Sequence, residues 1–207
     1  MPPARVVRLP RESRPKRLLP AADLRRLIDA ADPITRAHIL LGVNCAFGST
    51  DLTELRDVHL SGGWVVLPRR KTGVPRRCPL WPETAEAVAV ARRSRPAPAN
   101  PADADRVFLT VTGRPLKRWK ERAGGKAGER GDSVADGWNR LCTSLGVESP
   151  GSFYVLRHVF RTVADELPDR PAIDLIMGHH DRSQAAAYRE RISDERLINV
   201  AKYVNLW

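Results

Sequence analysis

Cysteine is scarce. The 207 residues hold three, Cys45, Cys78 and Cys142, far apart and odd in number. They form no CxxC pair and no even set. Neither a cysteine zinc site nor a disulfide framework is expected, and a reducing cytoplasm is the compartment they fit. Long apolar runs are missing as well. The best, Ile39-Leu40-Leu41-Gly42-Val43, falls far short of the roughly 20 residues a membrane span requires. The N-terminus carries charge but no apolar segment, so no secretory signal and no membrane partner are expected. Several catalytic signatures are also lacking: there is no GxSxG elbow, no HExxH pair and no GxxxxGK[ST] loop. Acidic residues are scattered rather than gathered around a two-metal site. His179-His180-Asp181 has metal-ligand residue types, but adjacent positions rarely converge on one ion. Neither a metal nor another cofactor is expected.

Positive charge, by contrast, is abundant. Thirty-five Lys and Arg oppose 24 Asp and Glu, giving a net charge of +11 and a pI near 10.4. Such an excess says nothing about fold, but it favours a polyanion partner, because Lys and Arg that neutralise phosphates release condensed counterions. The chain is 42% hydrophobic and 29% charged, enough to bury a core, and its length suits one large domain or one domain with an appendage. Residues 1 to 20 are rich in Pro and Arg and predict a disordered or extended basic arm.

Beyond the arm the periodicity is mainly helical. Leu24, Leu27 and Ile28 predict a helix over Ala21 to Ala31. Asp32-Pro33 breaks it and starts a second, over Pro33 to Phe47, with Ile34, Ile39, Leu40 and Val43 on its apolar side. Ser49, Thr50 and Asp51 read as helix-start residues. Trp64 to Leu67 and Arg76 to Leu80 predict two short strands joined through Lys71-Thr72-Gly73. Trp81 to Arg93 predicts a helix and Ser94 to Asp105 a Pro/Ala-rich surface linker. Trp119 to Asp132 reads as a mobile loop. Ser133 to Leu145 predicts a helix ended by Gly146. Ser152 is expected to cap the next helix, which Pro168 ends, and a short helix from Arg170 to Met177 stops at Gly178. Arg182 to Arg189 predicts a short helix. Ser193-Asp194 opens a last one, with Leu197, Ile198, Ala201 and Val204 on its apolar side.

Three polar residues stand out of apolar surroundings: Arg157 in Leu156-Arg157-His158-Val159-Phe160, His179 in Met177-Gly178-His179, and Tyr188. A guanidinium can clamp a phosphate through two parallel hydrogen bonds. An imidazole can give or take a proton near neutral pH. A phenol can attack phosphorus and hold it covalently. Together they suit phosphoryl transfer without a metal.

These motifs, with the tyrosine nine positions after His179, resemble the C-terminal half of the tyrosine recombinase (phage integrase) catalytic domain. The family pattern is His-x-x-Arg, then Leu-Gly-His, then a tyrosine at this spacing. The resemblance implies a mainly helical fold with a small antiparallel sheet, the DNA breaking-rejoining architecture, over roughly residues 21 to 207. It implies that Tyr188 is the nucleophile, Arg157 the second catalytic arginine and His179 the histidine of the third motif. Lys71, at the hairpin tip, fits the family lysine that protonates the leaving 5′ hydroxyl. Arg69, Arg70, Arg76 and Arg77 make the hairpin the densest basic patch, expected with Arg161 to contact the DNA backbone. The implied partner is double-stranded DNA. The implied assembly is a tetramer on DNA, joined through the C-terminal helix unless that helix docks on its own domain. The separate N-terminal clamp domain of most full-length integrases has no room in this length.

Two positions depart from the pattern. Tyr154 stands where the family has histidine; with a free pKa near about 10, a phenol donates a hydrogen bond but is a poor base at pH 7. Asp51 stands where Gly-x-Arg-x-x-Glu-Leu places the first phosphate clamp, just ahead of the matching Glu54-Leu55. A carboxylate there repels a phosphodiester, so either another arginine substitutes, Arg36 and Arg56 being nearest in sequence, or Asp51 points elsewhere as a helix cap, or the enzyme is impaired. The alternative function is a relative that binds DNA without cutting it.

Overall fold

The computed structural model describes residues 18–121, 127–147, 151–180 and 190–207. Residues 1–17 of the expected arm and the predicted helix bearing Tyr188 lie outside them. Eight helices are described: α1 Ala21–Ala30, α2 Pro33–Asn44, α3 Ser49–Glu54, α4 Pro82–Arg93, α5 Ser133–Ser144, α6 Val155–Ala164, α7 Arg170–Met177 and α8 Asp194–Leu206. The strands are β1 Leu60–Ser61, β2 Trp64–Val66, β3 Arg77–Pro79, β4 Lys117–Glu121 and β5 Ala127–Asp132.

Helix α2 is the axle. Asp32 caps it, its Oδ1 accepting the N–H groups of Ile34 and Thr35 at 3.0 and 3.1 Å. The sequence predicts one apolar side, but every residue from Ala37 to Asn44 is buried, because helices pack on all sides of it. At Gly42 the approach is closest: a Cβ there would lie 2.7 Å from Leu156 Cδ1 and 3.2 Å from Phe153 Cζ. That contact seats α6, and with it Arg157, directly on the central helix. Leu19 is also core, so the basic arm ends before the chain reaches it.

The first sheet is antiparallel in the order β1-β2-β3, with Val66 opposite Arg77 and Trp64 opposite Pro79. Gly62 and Gly63 turn β1 into β2 with φ of 56° and 79°, the left-handed pair a tight hairpin needs. Strand β1 is too short to leave a periodic signal. The expected mobile loop is corrected: β4 and β5 pair antiparallel, Lys117 opposite Asp132. Their residues are mostly Lys, Arg, Glu and Gly, and a ladder held by backbone hydrogen bonds needs no apolar alternation to form. The cap of α6 is corrected too. Tyr154 occupies the N-cap, and Ser152 contributes its carbonyl to Val155 N–H at 2.9 Å.

Helix α8 docks on its own chain. Leu197, Val200, Ala201 and Val204 are buried and Ile198 is 45% exposed. The inward stripe thus follows the three- and four-residue spacing of a helix face and passes Ile198 by. Trp81 Nε1 donates to Ala201 O at 2.8 Å, fixing α8 to the start of α4. Among the described residues no helix is long and apolar enough to cross a membrane.

One buried titratable group makes the fold acid-sensitive. His38 in α2 lies edge-on to Phe108 at 4.6 Å. Burial pushes its pKa down to about 4, opposed by the carboxylates of Asp32 and Asp132. The unfolded chain binds this proton near about pH 6.5 and the folded chain does not, so stability is complete above that value and falls as the pH drops toward 4. From pH 8 to pH 5 the loss through His38 is about 2 kcal/mol. Urea unfolding of wild type and His38→Leu is expected to show a stability loss between pH 8 and pH 5 that is smaller in the variant by that amount.

Candidate active site

Arg157 is the centre. Its side chain is 2% exposed. Nη1 donates to Ala46 O at 2.7 Å and Nη2 to Met177 O at 2.6 Å. Ala46 has φ of 53°, the single non-glycine residue in the left-handed region among those described. That strained turn after α2 aims a carbonyl at the guanidinium; such a conformation costs on the order of 1 kcal/mol. Burial draws the Arg157 pKa down to about 10, and the positive charges of Arg69 and Arg76 act in the same direction. Its Nε is buried with no partner among the described residues.

His179 follows Gly178, which ends α7 in the left-handed conformation with φ of 63°. Arg157 Nη2 lies 2.9 Å from His179 Nε2. A guanidinium only donates, so Nε2 carries the lone pair and Nδ1 the proton. Nδ1 then donates to Asp174 Oδ1 at 3.3 Å. Burial, and next the Arg157 charge, hold the His179 pKa below its ordinary value, while Asp174 pulls it up. The ring is therefore neutral at pH 7 and its accepting nitrogen faces the arginine. Asp174 belongs to none of the sequence motifs, although an acid within Ile173-Asp174-Leu175 on an apolar helix is a visible signal. Its Oδ1 also accepts from Arg161 Nη1 at 2.7 Å.

In front of this pair lies an open cavity of about 950 Å³. The hairpin tip supplies Arg69, Arg70 and Lys71, the second sheet Lys117, and the ends of α3 and α6 supply Asp51 and Tyr154. Arg157 and His179 do not line it. Asp51, Arg69 and Tyr154 form the part of its wall that acts electrostatically on Arg157. Tyr154 is 44% exposed, its ring 6.0 Å from the Arg157 guanidinium carbon and edge-on to His158 at 5.1 Å. Lys71 is exposed at the tip and makes no ion pair among the described residues.

The basic residues of the hairpin part company. A Cβ added to Gly178 would lie 3.0 Å from Arg69 Cβ and 3.4 Å from Arg76 Cδ, so both side chains cross the turn that carries His179. Arg70 reaches Glu54 Oε1 at 3.1 Å. Arg77 forks onto Asp194 and stacks on Trp64 at 4.0 Å. Arg76 turns inward and is 1% exposed. Arg161 joins Asp165 and Asp174, each at 2.7 Å, so its guanidinium is engaged within the chain. Tyr188 lies outside the described residues. Of the arginines nearest Asp51 in sequence, Arg36 donates to Ile28 O at 3.1 Å and Arg56 pairs with Asp105, and neither reaches it.

Among the described residues no group of three His, Cys, Asp or Glu is placed to hold a metal ion. The sequence does contain one Asp-x-Asp spacing, Asp103 and Asp105, but Arg106 and Arg56 hold those carboxylates.

No protein-family profile matches the chain, and no curated protein matches it by sequence. Its fold does match solved structures. XerA recombinase superimposes on 89% of this chain and 63% of its own, at a TM-score of 0.59 and 17% identity. The Tn1549 transposon integrase, solved in complex with circular intermediate DNA, covers 91% of this chain and 65% of its own, at 0.62 and 17%. The lambda integrase catalytic core matches over 80% of this chain and 94% of its own, at 0.56 and 18%. The chain thus spans less than two thirds of the first two proteins and nearly all of the lambda catalytic core. It has the tyrosine recombinase catalytic-domain fold, mainly helical with small antiparallel sheets.

Proposed function

We propose that this chain cuts and rejoins double-stranded DNA in site-specific recombination or integration through a 3′-phosphotyrosyl intermediate, with Tyr188 as nucleophile. The observation that carries the reading is the buried Arg157 guanidinium in contact with neutral His179, beside a cavity lined by Arg69, Arg70, Lys71 and Lys117. A buried guanidinium with an unpaired N–H is suited to binding an anion.

In the first step the Tyr188 oxygen attacks a DNA phosphorus and the phenolic proton passes to His179 Nε2. The bond from phosphorus to the 5′ oxygen breaks, and Lys71 gives that oxygen a proton. Arg157 neutralises the charge that grows on the non-bridging oxygens, and Tyr154 donates to one of them. Entry of the phosphate draws Arg157 Nη2 away from His179, which frees the imidazole nitrogen when it is needed. The phosphotyrosyl bond keeps the energy of the broken strand, so no nucleotide is consumed, and a partner strand's 5′ hydroxyl reverses the step. Exchange between two duplexes calls for several protomers, a tetramer in the simplest case; with α8 docked on its own chain, its inner face is not free to join them.

A second reading, binding without cleavage, is favoured by Asp51 in the cavity wall and by Tyr154 at the histidine position. A pool of nicked duplexes with randomised sequence separates the two. Cleavage beside the nick releases a short strand and traps the covalent complex. Wild type is expected to give an SDS-resistant adduct that disappears in Tyr188→Phe while the gel shift persists. A shift with no adduct in wild type supports the second reading.

A further inference from the structure

The first phosphate clamp of the fold family would sit at Asp51, and a carboxylate cannot do that work. The two oxygens of Asp51 are both engaged. Oδ2 accepts the Gly48 N–H at 2.8 Å, and Oδ1 accepts Arg76 Nη2 at 2.8 Å. Arg76 comes from the hairpin, as the residue just before β3. Its Nε donates to Leu67 O at 3.1 Å, and its guanidinium carbon lies 4.3 Å from the centre of the Phe47 ring. Two hydrogen bonds, one ring and the Gly178 turn fix it in place. The third nitrogen, Nη1, is buried with no partner. An unpaired N–H on a buried cation is costly and calls for an explanation, a functional role being one. Arg157 Nε is orphaned in the same way, and the two side chains meet around the same turn, Arg157 bonding Met177 O and Arg76 crossing Gly178.

Resting on the recombinase reading, we propose that Arg76 is a catalytic residue that replaces the missing first clamp: its Nη1 donates to a non-bridging oxygen of the scissile phosphate, and Asp51 is the residue that positions it. The cation is thus supplied from the hairpin instead of from α3, and its carboxylate partner occupies the vacated place. Both orphaned donors then find acceptors on one tetrahedral phosphate. Arg76 Nη1 is covered in the DNA-free chain, so the phosphate must enter through the wall of Asp51, Arg69 and Tyr154, and the hairpin tip shifts to admit it. Burial of Arg76 also sets it apart from Arg70 and Lys71, which face outward along the same hairpin.

The test uses the full chain and the duplex recovered from the randomised pool, made with either a phosphodiester or a methylphosphonate at the cleaved bond. A methylphosphonate lacks the charged oxygen, so a cation that exists to neutralise it matters less there. Arg76→Gln is expected to slow single-turnover cleavage of the phosphodiester about a hundredfold or more, and of the methylphosphonate by less than about a tenth of that factor. Should Arg76→Gln fold poorly, Asp51→Arg combined with Arg76→Gln moves the cation back to α3 and is expected to recover most of the phosphodiester rate. Equal losses on both substrates, or a folded and DNA-binding double variant with no recovery, overturn the assignment and leave the recombinase reading intact. So does an unchanged rate in Arg76→Gln. Absence of any adduct in wild type overturns both.

Discussion

Arg157→Met is expected to lower single-turnover strand cleavage by on the order of a hundred- to a thousandfold while leaving the fold nearly as stable as before. The two halves of that expectation come from one feature. Arg157 is a buried cation whose pKa burial has drawn down to about 10, so folding disfavours its charge. Replacing it with an apolar chain of similar length removes that cost. It also strips the donors from Ala46 O and Met177 O, a loss of about 1–3 kcal/mol. The opposed effects leave a net change expected within about 2 kcal/mol. Arg157→Lys sharpens the result. An ammonium keeps the charge but is a single point that cannot span two carbonyls and a phosphate, so cleavage is expected to fall by about a hundredfold. Urea midpoints alongside adduct formation rates give both readings. A midpoint that collapses together with activity would make Arg157 a structural residue.

His179→Gln is expected to cost about a hundred- to ten-thousandfold in cleavage, the range for a positioned acid–base group. Its pH dependence carries the finer claim. His179 must be neutral to accept the phenolic proton, and burial with the Arg157 charge holds its pKa below the ordinary value. The acid limb of the wild-type rate should therefore lie below the ordinary histidine value. Asp174 pulls that pKa upward, so Asp174→Asn moves the acid limb to still lower pH. The variant is slower at pH 7.5, because the ring has lost its orienting acceptor, yet it retains a larger share of its rate at pH 5.5. Single-turnover rates from pH 5 to 8 decide this. A limb that stays put or moves upward would show that the Asp174 contact does not govern the imidazole.

What the sequence disclosed follows from where each signal is local. Asp32-Pro33, Gly146 and Gly178 mark helix ends by their own chemistry, and those boundaries stand within a few residues of expectation. Met177-Gly178-His179 and Arg157 were legible as motifs, and the fold that carries them agrees. Strands β4 and β5 were illegible, since polar residues paired through backbone leave no period of two. Arg76 was illegible for a different reason. It sits in a run with Arg69, Arg70 and Arg77, and nothing in that run tells which guanidinium turns inward; the partner that holds it, Asp51, is 25 residues earlier. The carbonyl of Ala46 was equally hidden, because a left-handed alanine cannot be told from an ordinary one by its letter.

The proposed chemistry turns on a bond between DNA and the Tyr188 oxygen, and mass spectrometry of the trapped complex reads that bond directly. After nuclease and trypsin digestion, the peptide over residues 183–189 is expected to carry the mass of a nucleotide 3′-phosphate, with fragment ions placing it on Tyr188. The same mass on any other residue, or no modified peptide from a chain that demonstrably binds the duplex, would contradict it.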